Sequence, residues 1–190
     1  MNKEDTQRMT KLISIAAVSG GGKTTLTKQL LESLPCSAAI YFDEIEFEKA
    51  PENLTKWVDE GGDLREWGMQ PLIDQIEKVL NQEDAPSYLI LDYPFSYLHN
   101  EVAKYIHYSI YIDTPLDIAM ARRVLRDQQC RETVSIMNEL QYYLTDSRRA
   151  YLHMENTVKP SADCVLDGTK DPESLVADVL SHTKTKASFK

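Results

Sequence analysis

The sequence predicts an α/β fold in which a parallel sheet is covered by helices on both faces. Short apolar segments typical of buried strands alternate with longer segments of helical spacing. A glycine-rich segment joins the first strand to the first helix. Such sheets bind ligands at the carboxyl ends of their strands, where the glycines, Asp43, Asp92 and Asp113 are all expected to lie.

Five segments are short, apolar and bounded by polar residues or glycines, as buried strands are. They cover residues 12–17, 38–42, 88–91, 108–112 and 164–166. The segment 44–66 is acidic and irregular, with Pro51 and a Gly61-Gly62 pair, and predicts a surface excursion with one short helix.

Helical spacing of apolar residues indicates five helices. They are predicted at residues 24–34, 67–80, 115–126, 132–154 and 172–180. Asp113 or Thr114 is expected to cap the third helix, with Pro115 in its first turn. The apolar face of the long fourth helix is predicted to consist of Ile136, Leu140, Leu144, Tyr151 and Met154.

Length and composition favour one soluble domain over residues 1–190, with tails at 1–10 and 182–190. The formal net charge of -9 argues against a general nucleic-acid binder, which usually carries a basic face. The longest early apolar run, residues 12–18, is too short to span a bilayer. We therefore expect a cytoplasmic protein without nucleic-acid or membrane partners; its oligomeric state stays open.

Residues 17–24, AVSGGGKT, have the spacing of a P-loop, with Ala17 at the position of the first glycine. Its backbone N–H groups would surround phosphate oxygens, Lys23 would reach the β- and γ-phosphates, and the Thr24 hydroxyl would ligate magnesium. The motif predicts binding of ATP, or GTP, with Mg²⁺. The expected nucleotide-binding residues are Ser19, Gly20, Gly21, Gly22, Lys23, Thr24 and Thr25.

Two aspartates follow predicted strands beside this loop. Asp43 would face the γ-phosphate, where it could accept a proton from an acceptor hydroxyl or touch magnesium through water. Asp92 follows an apolar strand, as a magnesium-supporting carboxylate does. A cap role for Asp43 and a turn role for Asp92 before Pro94 are the alternatives.

A basic cluster stands out in this acidic chain. We expect some of its arginines to cover a transferring phosphoryl group as a lid at about 122–133, although a solvated basic face is the alternative. The four residues are Arg122, Arg123, Arg126 and Arg131. Trp57 and Trp67 flank the acidic excursion; Trp57 could stack on a substrate, whereas Trp67 is expected to pack in the core.

Residues 113–115 (DTP) and 121–127 (ARRVLRD) resemble the lid segment of uridine kinases, which are P-loop kinases of nucleosides and related metabolites. The resemblance covers roughly residues 12–180 and implies five parallel strands in the order 2-3-1-4-5, with Asp43 as the general base. It also implies that Gln141 approaches the nucleoside and that Asp167 and Gly168 border the adenine.

Several departures from that family lie on the acceptor side. Residues 131–133 (RET) keep only the first arginine of the usual Arg-Gly-Arg, and residues 59–63 replace an Asp-His-Pro stretch. Residues 81–87 are too short for the family's hairpin, and Asp92 replaces a glutamate. We therefore expect an ATP-dependent kinase of a small, nucleoside-like hydroxyl compound; kinases of a sugar, vitamin or nucleotide and a regulatory ATPase are the alternatives.

Overall fold

The computed structural model describes residues 9–127 and 133–185, and its centre is a five-stranded parallel sheet in the order β2-β3-β1-β4-β5. The strands are β1 (Lys11–Ala16), β2 (Ser37–Tyr41), β3 (Tyr88–Asp92), β4 (Tyr108–Asp113) and β5 (Cys164–Asp167). The predicted fold class and strand order are both confirmed. At most of the strand ends, the predicted bound differs from the observed one by a single residue.

Eight helices surround the sheet in the described residues. They are α1 (Lys23–Ser33), α2 (Leu54–Asp59), α3 (Gln70–Leu80), α4 (Asn100–Ala103), α5 (Leu116–Asp127), α6 (Thr133–Tyr142), α7 (Arg148–Thr157) and α8 (Pro172–Thr185). Short 3₁₀ turns occur at Phe42–Glu44, Leu64–Glu66 and Lys159–Ser161. None of the helices among the described residues is long and apolar enough to cross a membrane.

The sheet separates two apolar clusters, as the period-two alternation of strands requires. On β1, Leu12 belongs to one cluster, whereas Ile13 and Ile15 belong to the other. Asp92, at the end of β3, is level with Ile15 of β1 and Tyr41 of β2. The loops that follow these three adjacent strands therefore meet around Asp92.

The predicted long helix at 132–154 is helical, but its predicted apolar face is partly wrong. A π-helical segment, Tyr143–Ser147, joins α6 to α7 and shifts the helical register. Leu140 and Leu144 are consequently exposed, while Tyr143 and Tyr151 are buried against each other with ring centroids 5.2 Å apart. A strict 3.6-residue period extrapolated through the segment selects the wrong side chains.

The excursion at 44–66 contains its predicted short helix, α2, but it is more than a surface loop. Trp57 on α2 is 6% exposed and belongs to the apolar cluster that includes Phe42 and Phe95. The Arg149 guanidinium on α7 donates to Asp59 Oδ2 at 2.7 Å and so connects α2 to α7. The excursion thus forms a wall of the domain beside the sheet edge.

Candidate functional site

The glycine loop between β1 and α1 is shaped by close backbone contacts. Gly20 has φ +80°, and a Cβ placed there would lie 2.1 Å from the Ala119 carbonyl oxygen. The Thr114 hydroxyl donates to the Gly21 carbonyl oxygen at 2.9 Å, which fixes the loop against the start of α5. The two residues predicted to cap α5 also have other partners, because Asp113 accepts from Lys159 and Thr114 donates to this loop.

A cavity of about 540 Å³, here called the glycine-loop cavity, lies over this segment. All seven predicted nucleotide-binding residues line it, namely Ser19, Gly20, Gly21, Gly22, Lys23, Thr24 and Thr25. Because α1 begins at Lys23, the positive end of its dipole faces the same region. A loop of this kind directs backbone N–H groups at phosphate oxygens.

The glycine-loop cavity is also lined by Arg122 and Gly168. The Arg122 guanidinium donates to the Gly168 carbonyl oxygen at 3.1 Å, so α5 supports the loop after β5. Asp167, predicted as its neighbour in nucleotide binding, does not line this cavity. Its carboxylate is exposed and accepts hydrogen bonds from Thr169.

Thr24 and Asp92 form the pair of oxygen ligands expected for magnesium. The Thr24 hydroxyl donates to Asp92 Oδ2 at 2.7 Å, and Asp92 is 4% exposed. Burial raises the pKa of Asp92, while the Lys23 ammonium and the Thr24 hydrogen bond oppose that rise. A hydroxyl and a carboxylate are hard donors that fit Mg²⁺, which typically takes one or two protein ligands beside phosphates and water.

The part of the chain that the structure describes holds no group of three His, Cys, Asp or Glu side chains that could enclose a metal. A cation held by Thr24 and Asp92 would take its further ligands from nucleotide phosphates and water.

A second cavity of about 380 Å³, here called the aromatic cavity, adjoins the first. Its lining includes Phe42 after β2, Trp57 on α2, Trp67 and Phe95. These rings pack at steep angles, and the Trp67 and Phe95 centroids are 5.3 Å apart. Trp57, predicted as a substrate contact, lines the cavity and is also a core residue whose Nε1 donates to the Asp63 carbonyl oxygen. Trp67 packs against the core as predicted and borders the same cavity.

Four residues line both cavities. They are Ser19, Lys23, Asp43 and Arg126. Asp43 lies in the 3₁₀ turn directly after β2 and is exposed. The structure therefore brings a carboxylate and two cationic side chains to the junction between the glycine-loop cavity and the aromatic cavity.

The predicted lid arginines differ in their surroundings. Arg123 is held by the Tyr151 hydroxyl at 2.8 Å and by Glu139 at 3.1 Å. Arg126 lies at the cavity junction, where its guanidinium donates to Asp127 at 2.7 Å and 60% of its side chain remains exposed. Arg122 supports the Gly168 loop, and Arg131 lies outside the described residues. The basic cluster is thus not one solvated face.

The structure does not bring Gln141 to the site, although the resemblance implied a nucleoside contact. Gln141 is exposed on α6 and lines neither of the two cavities. Conversely, Phe95, His153 and Met154 line the aromatic cavity, although none of them was assigned a role in binding from the sequence. None of the three belongs to a recognisable motif, so only the three-dimensional arrangement identifies them as cavity residues.

Comparison with known proteins agrees with this geometry. A family model described as an AAA domain matches residues 13–143. The chain belongs to this AAA-domain family. As an AAA-domain chain it has a nucleotide-binding P-loop, and its sheet order is the one expected for kinase-like members of that architecture.

Individual relatives of this AAA-domain chain carry kinase names. A protein named uridine kinase from Borrelia hermsii (strain HS1 / DAH) is 27% identical over 180 residues, covering 83% of this chain and 86% of that protein. A putative fructose transport system kinase from Silicibacter sp. TM1040 matches with a TM-score of 0.57 and 14% identity, covering 85% and 92% of the two chains. Shikimate kinase from Aquifex aeolicus matches with a TM-score of 0.54 and 18% identity, covering 94% and 99%. The chain is similar to uridine kinases in sequence and has the kinase-like P-loop fold.

Proposed function

We propose that this protein is an ATP-dependent, magnesium-assisted kinase that phosphorylates a hydroxyl group of a small molecule. The observation that carries the proposal is the junction of the two cavities at Ser19, Lys23, Asp43 and Arg126. A kinase needs a phosphate site and an acceptor site that share one carboxylate and several cations. A protein that only binds nucleotide needs no second cavity there.

In the proposed reaction, the acceptor lies in the aromatic cavity with its hydroxyl beside Asp43. The acceptor oxygen forms a bond to the γ-phosphorus of ATP as the bond to the bridging oxygen breaks, and ADP leaves. The hydroxyl proton passes to the Asp43 carboxylate. Lys23 and Arg126 stabilise negative charge on the transferring group, which matters more than proton removal if the transition state is loose.

Magnesium would be held by Thr24 and Asp92, where it would supply positive charge to the phosphate oxygens. The hydrogen bond between these two side chains keeps both oxygens on the same side of the glycine loop. Asp43, the other candidate for this task, is exposed at the cavity junction and better placed for the acceptor. We therefore assign magnesium support to Asp92 and the proton to Asp43.

The names of the relatives do not narrow the acceptor to one chemical class. The sequence relative is named uridine kinase, which favours a nucleoside-like acceptor. However, Gln141 lies away from the aromatic cavity, and the chain lacks the family's hairpin and Asp-His-Pro stretch. Because pockets that lose polar partners discriminate poorly, we expect weak turnover of uridine and cytidine.

The test is transfer of label from γ-labelled ATP to a panel of nucleosides, sugars, cyclic polyols and vitamin-like alcohols, with and without Mg²⁺. The proposal predicts labelled product with at least one hydroxyl compound and no transfer after magnesium is chelated. Release of labelled phosphate to water alone, at a rate that no acceptor changes, would contradict it and support a regulatory ATPase.

A further inference from the structure

The aromatic cavity differs in chemistry from the junction that it shares with the glycine-loop cavity. Most residues that line only the aromatic cavity are apolar, and the rings of Phe42, Trp67 and Phe95 form a continuous cluster with centroids 5.3 to 5.7 Å apart. At about 380 Å³ it lies near the lower end of the usual range for small-molecule sites. These properties suit one flat, compact ring.

The charged groups that line only the aromatic cavity, Arg123 and Asp127, are already paired with the surrounding protein. Arg123 contacts Tyr151 and Glu139, and Asp127 accepts from Arg126. A polyhydroxylated sugar placed in this cavity would leave several hydroxyl groups without partners. Each unpaired hydroxyl lowers affinity by about tenfold, so the cavity selects against such acceptors.

One polar side chain of the aromatic cavity remains uncommitted. The indole N–H of Trp57 donates to the Asp63 carbonyl oxygen, and the indole N–H of Trp67 is enclosed by protein and is not accessible from the cavity. The His153 imidazole packs edge-on against Trp57, and burial lowers its pKa. A neutral imidazole offers one donor and one acceptor, so the cavity presents sparse donors in an otherwise apolar wall.

We propose that the acceptor is a hydroxymethyl-substituted, single-ring heteroaromatic alcohol. This inference rests on the kinase function proposed above and names the substrate class of the same site. The ring packs against the aromatic side chains that line the cavity, and a ring nitrogen or carbonyl accepts from the neutral imidazole of His153. The hydroxymethyl arm reaches Asp43, which takes its proton as the oxygen bonds to the γ-phosphorus and ADP departs.

The first experiment compares pyridine- and pyrimidine-methanols with hexoses, pentoses and uridine, using both turnover and calorimetric binding in the presence of a non-hydrolysable ATP analogue. We expect kcat/KM to be at least about tenfold higher for the ring alcohols than for any sugar or for uridine. Efficient phosphorylation of a sugar or of uridine instead would overturn the substrate class while leaving the kinase function intact. Binding of ring alcohols without any phosphoryl transfer would uphold the ring preference and refute the kinase function.

The second experiment tests the imidazole donor with His153→Phe, and Trp57→Phe is the control. Dissociation constants are measured for a pyridine-methanol, which carries a ring acceptor, and for benzyl alcohol, which lacks one. His153→Phe should reduce the preference for the pyridine compound by about five- to tenfold, because the substitution removes the donor and keeps an aromatic ring. Trp57→Phe should weaken both ligands alike, since its N–H is used by Asp63. Unchanged preference in His153→Phe would overturn this recognition.

Discussion

The glycine-loop cavity and the aromatic cavity are neighbours in space, but the chain builds them in opposite ways. The first is formed largely by one stretch, residues 19–25, whose backbone N–H groups would bind phosphate oxygens. The second is assembled from six separate segments, of which five lie outside the glycine loop and are represented by Phe42, Trp57, Phe95, Arg123 and His153. The same sheet edge therefore carries a local motif beside a site that exists only after folding.

This difference separates the residues that every reaction should need from the residues that should select the substrate. Backbone N–H groups and one lysine bind triphosphate whatever the acceptor is, so the glycine loop should be required for every reaction. In the proposed reaction, the residues that line only the aromatic cavity contact the acceptor and should affect the choice of substrate. Substitutions in the glycine loop should therefore lower kcat for all substrates, whereas substitutions in the aromatic cavity should change the KM of one substrate.

The largest effect is expected from Lys23→Ala in the glycine loop. Lys23 is the lysine of the P-loop and lines both cavities, so its loss should abolish measurable turnover with every acceptor and weaken triphosphate binding. Nucleotide titration and steady-state assays check this, with exposed Lys78→Ala on α3 as the control. Equal nucleotide affinity and turnover in Lys23→Ala and wild type would disprove the phosphate site.

The second-largest effect is expected at the junction between the two cavities. It depends on the different partners of Arg126 and Arg123. Arg126→Ala should lower kcat by about a thousandfold with little change in ATP affinity, because Arg126 is the lid arginine at the junction of both cavities. Arg123→Ala should instead lower thermal stability, since Arg123 is committed to Tyr151 and Glu139. Normal turnover by a folded Arg126→Ala protein would show that this side chain has no part in transfer.

The smallest effect is expected at the outer wall of the aromatic cavity. Arg149→Ala removes the ion pair with Asp59 that connects α2 to α7. Because both partners are about half exposed, the pair is worth no more than about 0.5 kcal/mol, and the acceptor KM should rise about two- to threefold. The KM for ATP and kcat should not change. A double-mutant cycle with Asp59→Asn measures the coupling, and a change in the KM for ATP would argue against a purely acceptor-side role.

The predictability of the two regions follows from the same contrast. The spacing of the glycines, Lys23 and Thr24 requires local geometry only, and the structure places all of these residues at one cavity. The positions of Asp43 and Asp92 at the ends of strands could also be predicted from the sequence, because parallel strands bring their carboxyl ends to one edge of the sheet.

The aromatic wall could not be predicted in this way. Phe95 and Met154 have the apolar character of any core residue, and His153 stands among three other scattered histidines. The π-helical segment Tyr143–Ser147 adds a register shift that no 3.6-residue period reveals, which explains the misassigned face of the fourth helix. Gln141 lies on α6 before this shift and is exposed.

The central claim is that the two cavities meet at a carboxylate that accepts the proton of the acceptor hydroxyl. The most direct measurement is the pre-steady-state rate of phosphoryl transfer for wild type and Asp43→Asn, with ATP and acceptor affinities measured in parallel. Asp43→Asn should bind ATP normally yet transfer the phosphoryl group about a hundredfold more slowly or worse. A folded Asp43→Asn protein that transfers phosphate to its acceptor at the wild-type rate would contradict the account.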